Sequence, residues 1–121
     1  MKKVLIVDDS AFMRRTMKSI VVRNDFEVVG EGTNGVEAVS LYKKLRPDIV
    51  TLDVVMKDMD GLEALKVIMK IDPNANIVMV TSMGQDIIVR EAIVAGAKNF
   101  ILKPFTEQQV MVAFEKIKEQ Q

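Results

Sequence analysis

Val4-Leu5-Ile6-Val7-Asp8-Asp9-Ser10 is the stretch on which the fold turns. Four consecutive apolar residues, three of them β-branched, show neither the alternation of a half-buried strand nor the length of a helix. A run of this kind suits a strand buried on both faces of a parallel sheet. Two carboxylates follow at once. Ser10 then offers an N-cap to a segment in which Phe12, Met13, Met17, Ile20 and Val21 recur at helical spacing.

The same change of period repeats outward from this stretch. Short apolar runs rich in Val and Ile occupy residues 4–7, 28–29, 49–52, 77–80 and 100–102. Between them lie amphipathic segments of helical length. Asn34 and Gly35 lead into Val36, Val39 and Leu45. Gly61 opens Leu62, Leu65, Ile68 and Met69, and Asp72-Pro73 closes them, because the proline ring and missing N–H end a helix. A fourth segment runs over 85–95 and stops at Gly96. Thr106 caps the last, with Val110, Ala113, Phe114 and Ile117 on one face. Five strands alternating with five helices define an α/β protein: a doubly wound five-stranded parallel sheet, helices on both faces, right-handed crossovers.

Composition narrows the function. The chain has 121 residues, enough for one domain with a real core, and 49% hydrophobic with 28% charged residues is an ordinary globular balance. Lys plus Arg is 17 and Asp plus Glu is 17, so the clustered basic excess of a nucleic-acid binder is absent. Without cysteine or histidine the chain has no disulfide, no thiolate, no imidazole base and no usual zinc ligand. No apolar run approaches a membrane span, and no signal-peptide layout precedes Val4. A single domain over 1–121, cytoplasmic, without membrane insertion or direct nucleic-acid contact, is expected.

In open parallel sheets the functional crevice lies beyond the carboxyl ends of the strands. The polar residues at those ends are Asp8-Asp9, Asp53, Thr81-Ser82 and Lys103, on four different strands. Three carboxylates in one small site repel each other, and a divalent cation and an ammonium would offset this. Oxygen ligands without His or Cys point to Mg²⁺, or Mn²⁺. Lys103 and the Thr81 hydroxyl could hold the oxygens of a transferred phosphoryl group, with Asp53 as nucleophile. Each residue alone has a plainer reading. An Asp-Asp pair often only caps a helix, a strand-end Asp forms turns, Thr81 and Ser82 could cap the next helix, and Lys103 could be a solvated edge lysine.

The stretches 4–10, Asp53-Val54-Val55-Met56-Lys57-Asp58-Met59-Asp60-Gly61, Val80-Thr81 and Lys103-Pro104-Phe105 together resemble the response-regulator receiver family of two-component systems, within it the stand-alone chemotaxis (CheY-type) branch. The resemblance covers essentially the whole chain. It implies a flavodoxin-like sheet of order 2-1-3-4-5 and phosphorylation of Asp53. By the same resemblance Asp9 and Asp53 would bind Mg²⁺, Asp8 would do so directly or through water, and the Val55 carbonyl would add a ligand. Thr81 would swing toward the phosphoryl group, Phe100 would be the aromatic switch, Lys103 would pair with the phosphate, and the Lys103-Pro104 bond would be cis.

The sequence departs from the family pattern in three places. Lys57 stands where proline is usual, which frees the loop, and it could balance Asp58 and Asp60 or simply be an exposed lysine. Phe100 lacks a tyrosine hydroxyl. Val55 and Met83, beside the expected path of hydrolytic water, are apolar, which implies slow autodephosphorylation. On the 85–95 helix, if Ile88, Ala92 and Ala95 face the sheet, Val89 and Ile93 lie beside them as a docking face near Phe100.

The expected function is therefore a phosphorylation switch of chemotaxis or motility. A histidine kinase would supply the phosphoryl group, and an output protein such as the flagellar motor switch would read it. On this expectation the chain would catalyse its own phosphorylation and slow dephosphorylation, act as a monomer without an attached DNA-binding domain, and be no dedicated small-molecule enzyme. The alternative is a phosphorelay intermediate that passes phosphate to another histidine protein. An Asp-nucleophile phosphatase would need an Asp-x-Asp motif and a cap, and a flavin carrier would need a Ser/Thr/Gly-rich first loop.

Overall fold

A computed structural model describes residues 2–119. Within them the order is β1 (Lys3–Val7), α1 (Ala11–Arg23), β2 (Glu27–Gly32), α2 (Gly35–Leu45), β3 (Ile49–Leu52), α3 (Gly61–Ile71), β4 (Ile77–Thr81), α4 (Asp86–Ala95), β5 (Asn99–Leu102) and α5 (Glu107–Glu119). All strand pairs are parallel, and the sheet runs β2-β1-β3-β4-β5. This is the doubly wound architecture and the strand order anticipated above. Its switch point lies at β1, from which the chain winds to β2 on one side and to β3 on the other.

The unbroken apolar runs have a simple cause: both faces of the sheet are covered. Leu5, Val7, Val50, Leu52, Ile77 and Met79 point into one core with Ala38 and Tyr42 of α2, Leu65 and Ile68 of α3, and Ala92 of α4. Their neighbours Val4, Ile6, Ile49, Val78 and Val80 point into a second core under α1 and α5. There Phe26 meets Phe114 edge-on, with ring centroids 5.1 Å apart.

β2 is longer than the two apolar residues that announced it. It is an edge strand, mostly half-exposed, and its register on β1 shifts between Val4 and Leu5. Its Gly-Glu-Gly end carries no apolar signal, so only pairing with β1 reveals it.

The helix starts follow local chemistry. Ser10, Asn34 and Asp60 each accept a backbone N–H three residues on. Asp60, one residue before Gly61, is thus the cap of α3. At α5, Thr106 Oγ1 accepts from the Gln109 N–H while Gln109 Oε1 accepts from the Thr106 N–H, a reciprocal box. Gln85 gives α4 no side-chain cap. No helix among the described residues is long and apolar enough to cross a membrane.

Tyr42, almost wholly buried, donates to Asp72 Oδ2 at 2.7 Å and ties α2 to the end of α3. Burial, and then this hydrogen bond, push the tyrosine hydroxyl well above its ordinary pKa. The tyrosine bond, with the Asn74 N–H, holds the Asp72 carboxyl below the usual carboxylate value. A depressed carboxyl stabilises the fold above its unfolded pKa and loses that contribution as pH falls through the folded value. Tyr42→Phe is therefore expected to cost about 1 kcal/mol in urea denaturation at neutral pH. The deficit should narrow as the pH falls through the acidic range where Asp72 protonates.

Candidate functional site

The site is assembled by strand register. β1 and β3 pair Val7 with Leu52, so the next residues, Asp8 and Asp53, come side by side. Two backbone bonds hold them there: the Asp8 N–H donates to Gly32 O at 3.0 Å and the Asp53 N–H to Val7 O at 3.1 Å. On the other side, β4 and β5 pair Thr81 with Leu102. Lys103 follows, its N–H donating to Thr81 O at 2.9 Å.

From the end of β5 the Lys103 side chain reaches across β4. Its Nζ donates to Asp8 Oδ2 at 2.6 Å and to Asp53 Oδ2 at 3.0 Å. Both carboxylates are 5% exposed, whereas Asp9 is open to solvent. One carboxylate oxygen from each of Asp8, Asp9 and Asp53 lies within 4.8 Å of the others. Burial by itself would lower the Lys103 pKa, but the bonds from Asp8 and Asp53 outweigh it and the ammonium is held above its ordinary value. Three carboxylates against one ammonium leave an excess of negative charge at a cluster of hard oxygens. Such an arrangement suits a divalent oxygen-seeking cation.

The surroundings fix this cluster. Asp8 Oδ1 accepts the Ser10 N–H at 2.9 Å, and Arg14 Nη1 donates to the Asp8 carbonyl at 2.7 Å. The Gly61 N–H donates to Val54 O at 2.7 Å, drawing the start of α3 against the loop that follows β3. A β-carbon at Gly61 would stand 1.8 Å from the Asp53 carbonyl oxygen. In the sequence Gly61 opens a helix and ends the 53–61 motif, but neither its close approach to Asp53 nor the role of Arg14 is visible there. A glycine required by close approach carries no pattern of its own.

Thr81 is fully buried, and its Oγ1 accepts the Met83 N–H at 3.2 Å. Among the described residues it makes no side-chain hydrogen bond to Asp8, Asp53 or Lys103, so it lines the site without joining the charged cluster. Phe100 is half-buried against the core under α4. Val55, two residues after Asp53, is 52% exposed, and Met83, two residues after Thr81, is half-buried. The Lys103-Pro104 bond is cis.

Lys57 is exposed and forms no ion pair with Asp58 or Asp60. Asp58, at φ 67°, accepts from Asn34 Nδ2 at 3.3 Å, and Asp60 caps α3. On α4, Ala92 is buried, Ile88, Val89 and Ala95 are half-buried, and Ile93 is exposed. The apolar residues of α4 that stand furthest out are Ile87 and Val94, which the helical spacing did not pick out.

A doubly wound sheet with an acidic cluster and a lysine over its switch point is the plan of a phosphoryl-accepting receiver domain. The response regulator receiver domain family matches residues 4–115. The chain is 56% identical over 116 residues to chemotaxis protein CheY of Thermotoga maritima, covering 96% of this chain and 97% of that one. To chemotaxis protein CheY of Bacillus subtilis it is 53% identical over 114 residues, 94% and 95% of the two chains. A chain of the Borrelia burgdorferi CheX-CheY-BeF3-Mg+2 complex superimposes with a TM-score of 0.94 at 36% identity, covering 96% of this chain and 88% of that one. The chain belongs to the response-regulator receiver family. Within it, the chain is a phospho-accepting chemotaxis response regulator of the CheY type.

Gly61→Ala should force β3's end and α3 apart. The expected outcome is a loss of about 3 kcal/mol or more of folding stability by thermal denaturation, whereas Ala at exposed Gly84, beside only the flexible end of Leu102, should cost far less.

Proposed function

We propose that Asp53 is the phosphoacceptor and that the whole chain, 1–121, works as one receiver unit. The observation that carries this is Lys103 Nζ bridging Asp53 and Asp8 within a cluster of three carboxylates. All these groups come from one chain, so a single copy suffices for the transfer.

The donor set fits Mg²⁺, with Mn²⁺ as a substitute: Asp8, Asp9 and Asp53 offer carboxylate oxygens, and the Val55 carbonyl would add another hard oxygen. The Borrelia complex that this chain superimposes on contains Mg²⁺ and BeF3, which supports that choice. The cation would supply charge neutralisation for the phosphoryl oxygens. An Asp53 carboxylate oxygen attacks the phosphorus of a phosphohistidine in line. As the acyl-phosphate P–O bond forms, the P–N bond breaks, its electron pair returns to the imidazole, and that nitrogen takes a proton from solvent. Lys103 holds the new phosphate by charge-assisted hydrogen bonds. Thr81 exchanges its Met83 contact for a phosphoryl oxygen, and Phe100 changes its packing in response.

The phosphorylated chain then binds an output protein of the chemotaxis apparatus, such as the flagellar motor switch, in the cytoplasm. A histidine kinase is the donor.

Incubation with acetyl phosphate and Mg²⁺, read by intact mass, tests the assignment. Wild type should gain one phosphoryl mass, and Asp53→Asn and Mg²⁺-free samples should not. Equal labelling of the Asp53→Asn protein would refute the role of Asp53.

The phosphate should also be long-lived, because neither Val55 nor Met83 can hydrogen-bond an attacking water. Val55→Asn is expected to shorten the phosphoryl half-life several-fold in a phosphate-release assay. An unchanged or longer half-life would show that this wall does not control hydrolysis.

A further inference from the structure

Ile87, Arg90, Glu91 and Val94 fall at i, i+3, i+4 and i+7 of α4 and form one stripe along it. The stripe borders a shallow groove whose other side is Met69, Lys66 and Lys70 of α3. Ile87 and Val94 are 75% and 82% exposed, more than any other large apolar side chain among the described residues. Scattered apolar residues on a surface need no explanation, but these two bracket a cation and an anion in a fixed order.

That order, apolar–cation–anion–apolar, is its own reverse complement. A second α4 laid antiparallel, with a two-fold axis between positions 90 and 91, sets Ile87 opposite the second copy's Val94. It also sets Arg90 opposite the second copy's Glu91. An isologous interface requires this reciprocity: residue i meets j, and j meets i. Glu91 uses Oε1 for Lys66 at 2.8 Å, which leaves its other oxygen for the incoming Arg90. The same operation brings the second copy's Asp86 to the Ala95 end of the groove, beside Lys70. Lys70 and Arg90 form no ion pair among the described residues, so both cations are available for these contacts.

We propose that this face is a self-complementary interface through which two copies of the chain pair reversibly, α4 against α4 along the α3–α4 groove. It contains none of the groups of the Asp53 site, so pairing and phosphotransfer are separable. An interface of one helix pair lies at the small, transient end of the range, and the dilute protein is the single chain.

Sedimentation velocity at rising concentration, up to about 1 mM, tests this. Wild type should shift toward the dimer. Ile87→Lys and Val94→Glu should each stay monomeric, because each places a charge against an apolar residue. The double variant should regain association, since Lys at 87 then faces Glu at 94 at both ends of the interface. Retained labelling of all variants by acetyl phosphate shows that they fold. A wild type monomeric throughout, a dimer indifferent to the single changes, or a double variant that fails to recover would each overturn the proposal. So would a monomeric chain whose α3 and α4 amide resonances shift on adding an acidic amphipathic helical peptide, which would give the groove to another protein.

Discussion

Everything at the carboxyl edge of this sheet is arranged around the Lys103 ammonium, bonded at once to Asp8 on the β1 end and Asp53 on the β3 end. Two nearly buried carboxylates side by side press apart by like-charge repulsion. The lysine removes that pressure without occupying the open side of the cluster, where Asp9 faces solvent. Because it arrives from β5, it also ties together three strands that are not all neighbours, bridging over the end of β4. The register of four strands is thereby committed to one point, and a slip of any strand by a residue would turn its polar end away.

The adjacent acids Asp8 and Asp9 divide the work that this point requires. Asp8 is buried, its carboxylate shared between Lys103 and the Ser10 N–H, its carbonyl held by Arg14. Asp9 is exposed and bears no such restraint. One acid of the pair is anchored in the fold and the other stands in solvent, and both keep an oxygen within the three-carboxylate cluster.

Much of this was legible in the sequence, for identifiable reasons. Strands β1, β3 and β4 are apolar on consecutive positions because each lies between two helical layers, and a polar residue directly after such a run can only stand at the sheet's edge. That placed Asp8 and Asp53 at one edge; Lys103 follows β5, a half-exposed strand, and its place beside them needed the four strand ends to be read together. β2 was shorter in the sequence than in the molecule, since an edge strand is half solvated and its last residues are held by pairing, not by burial. The contact between Gly61 and the Asp53 carbonyl was invisible because the missing side chain is the signal. The outward face of α4 was only partly legible: Ala92 is buried and Ile93 exposed as expected, but the helix is apolar on more than one side, so periodicity alone did not single out Ile87 and Val94.

That weak anchoring bears on how a charge change at Asp53 could be felt elsewhere. Of the residues in α4 only Ala92 is fully buried, and the helix begins without a side-chain cap. Among the described residues, its leading loop is joined to the site by the Met83 N–H on Thr81 Oγ1. A threonine hydroxyl drawn to a phosphoryl oxygen keeps its donor capacity for that oxygen, but moving it stretches or breaks the bond to Met83. The loop and the start of α4 would then lose that restraint. In the proposed mechanism Thr81 is therefore the joint between chemistry and surface. Its burial makes that joint a two-position device, since a closed core admits one packing or another and not a continuum.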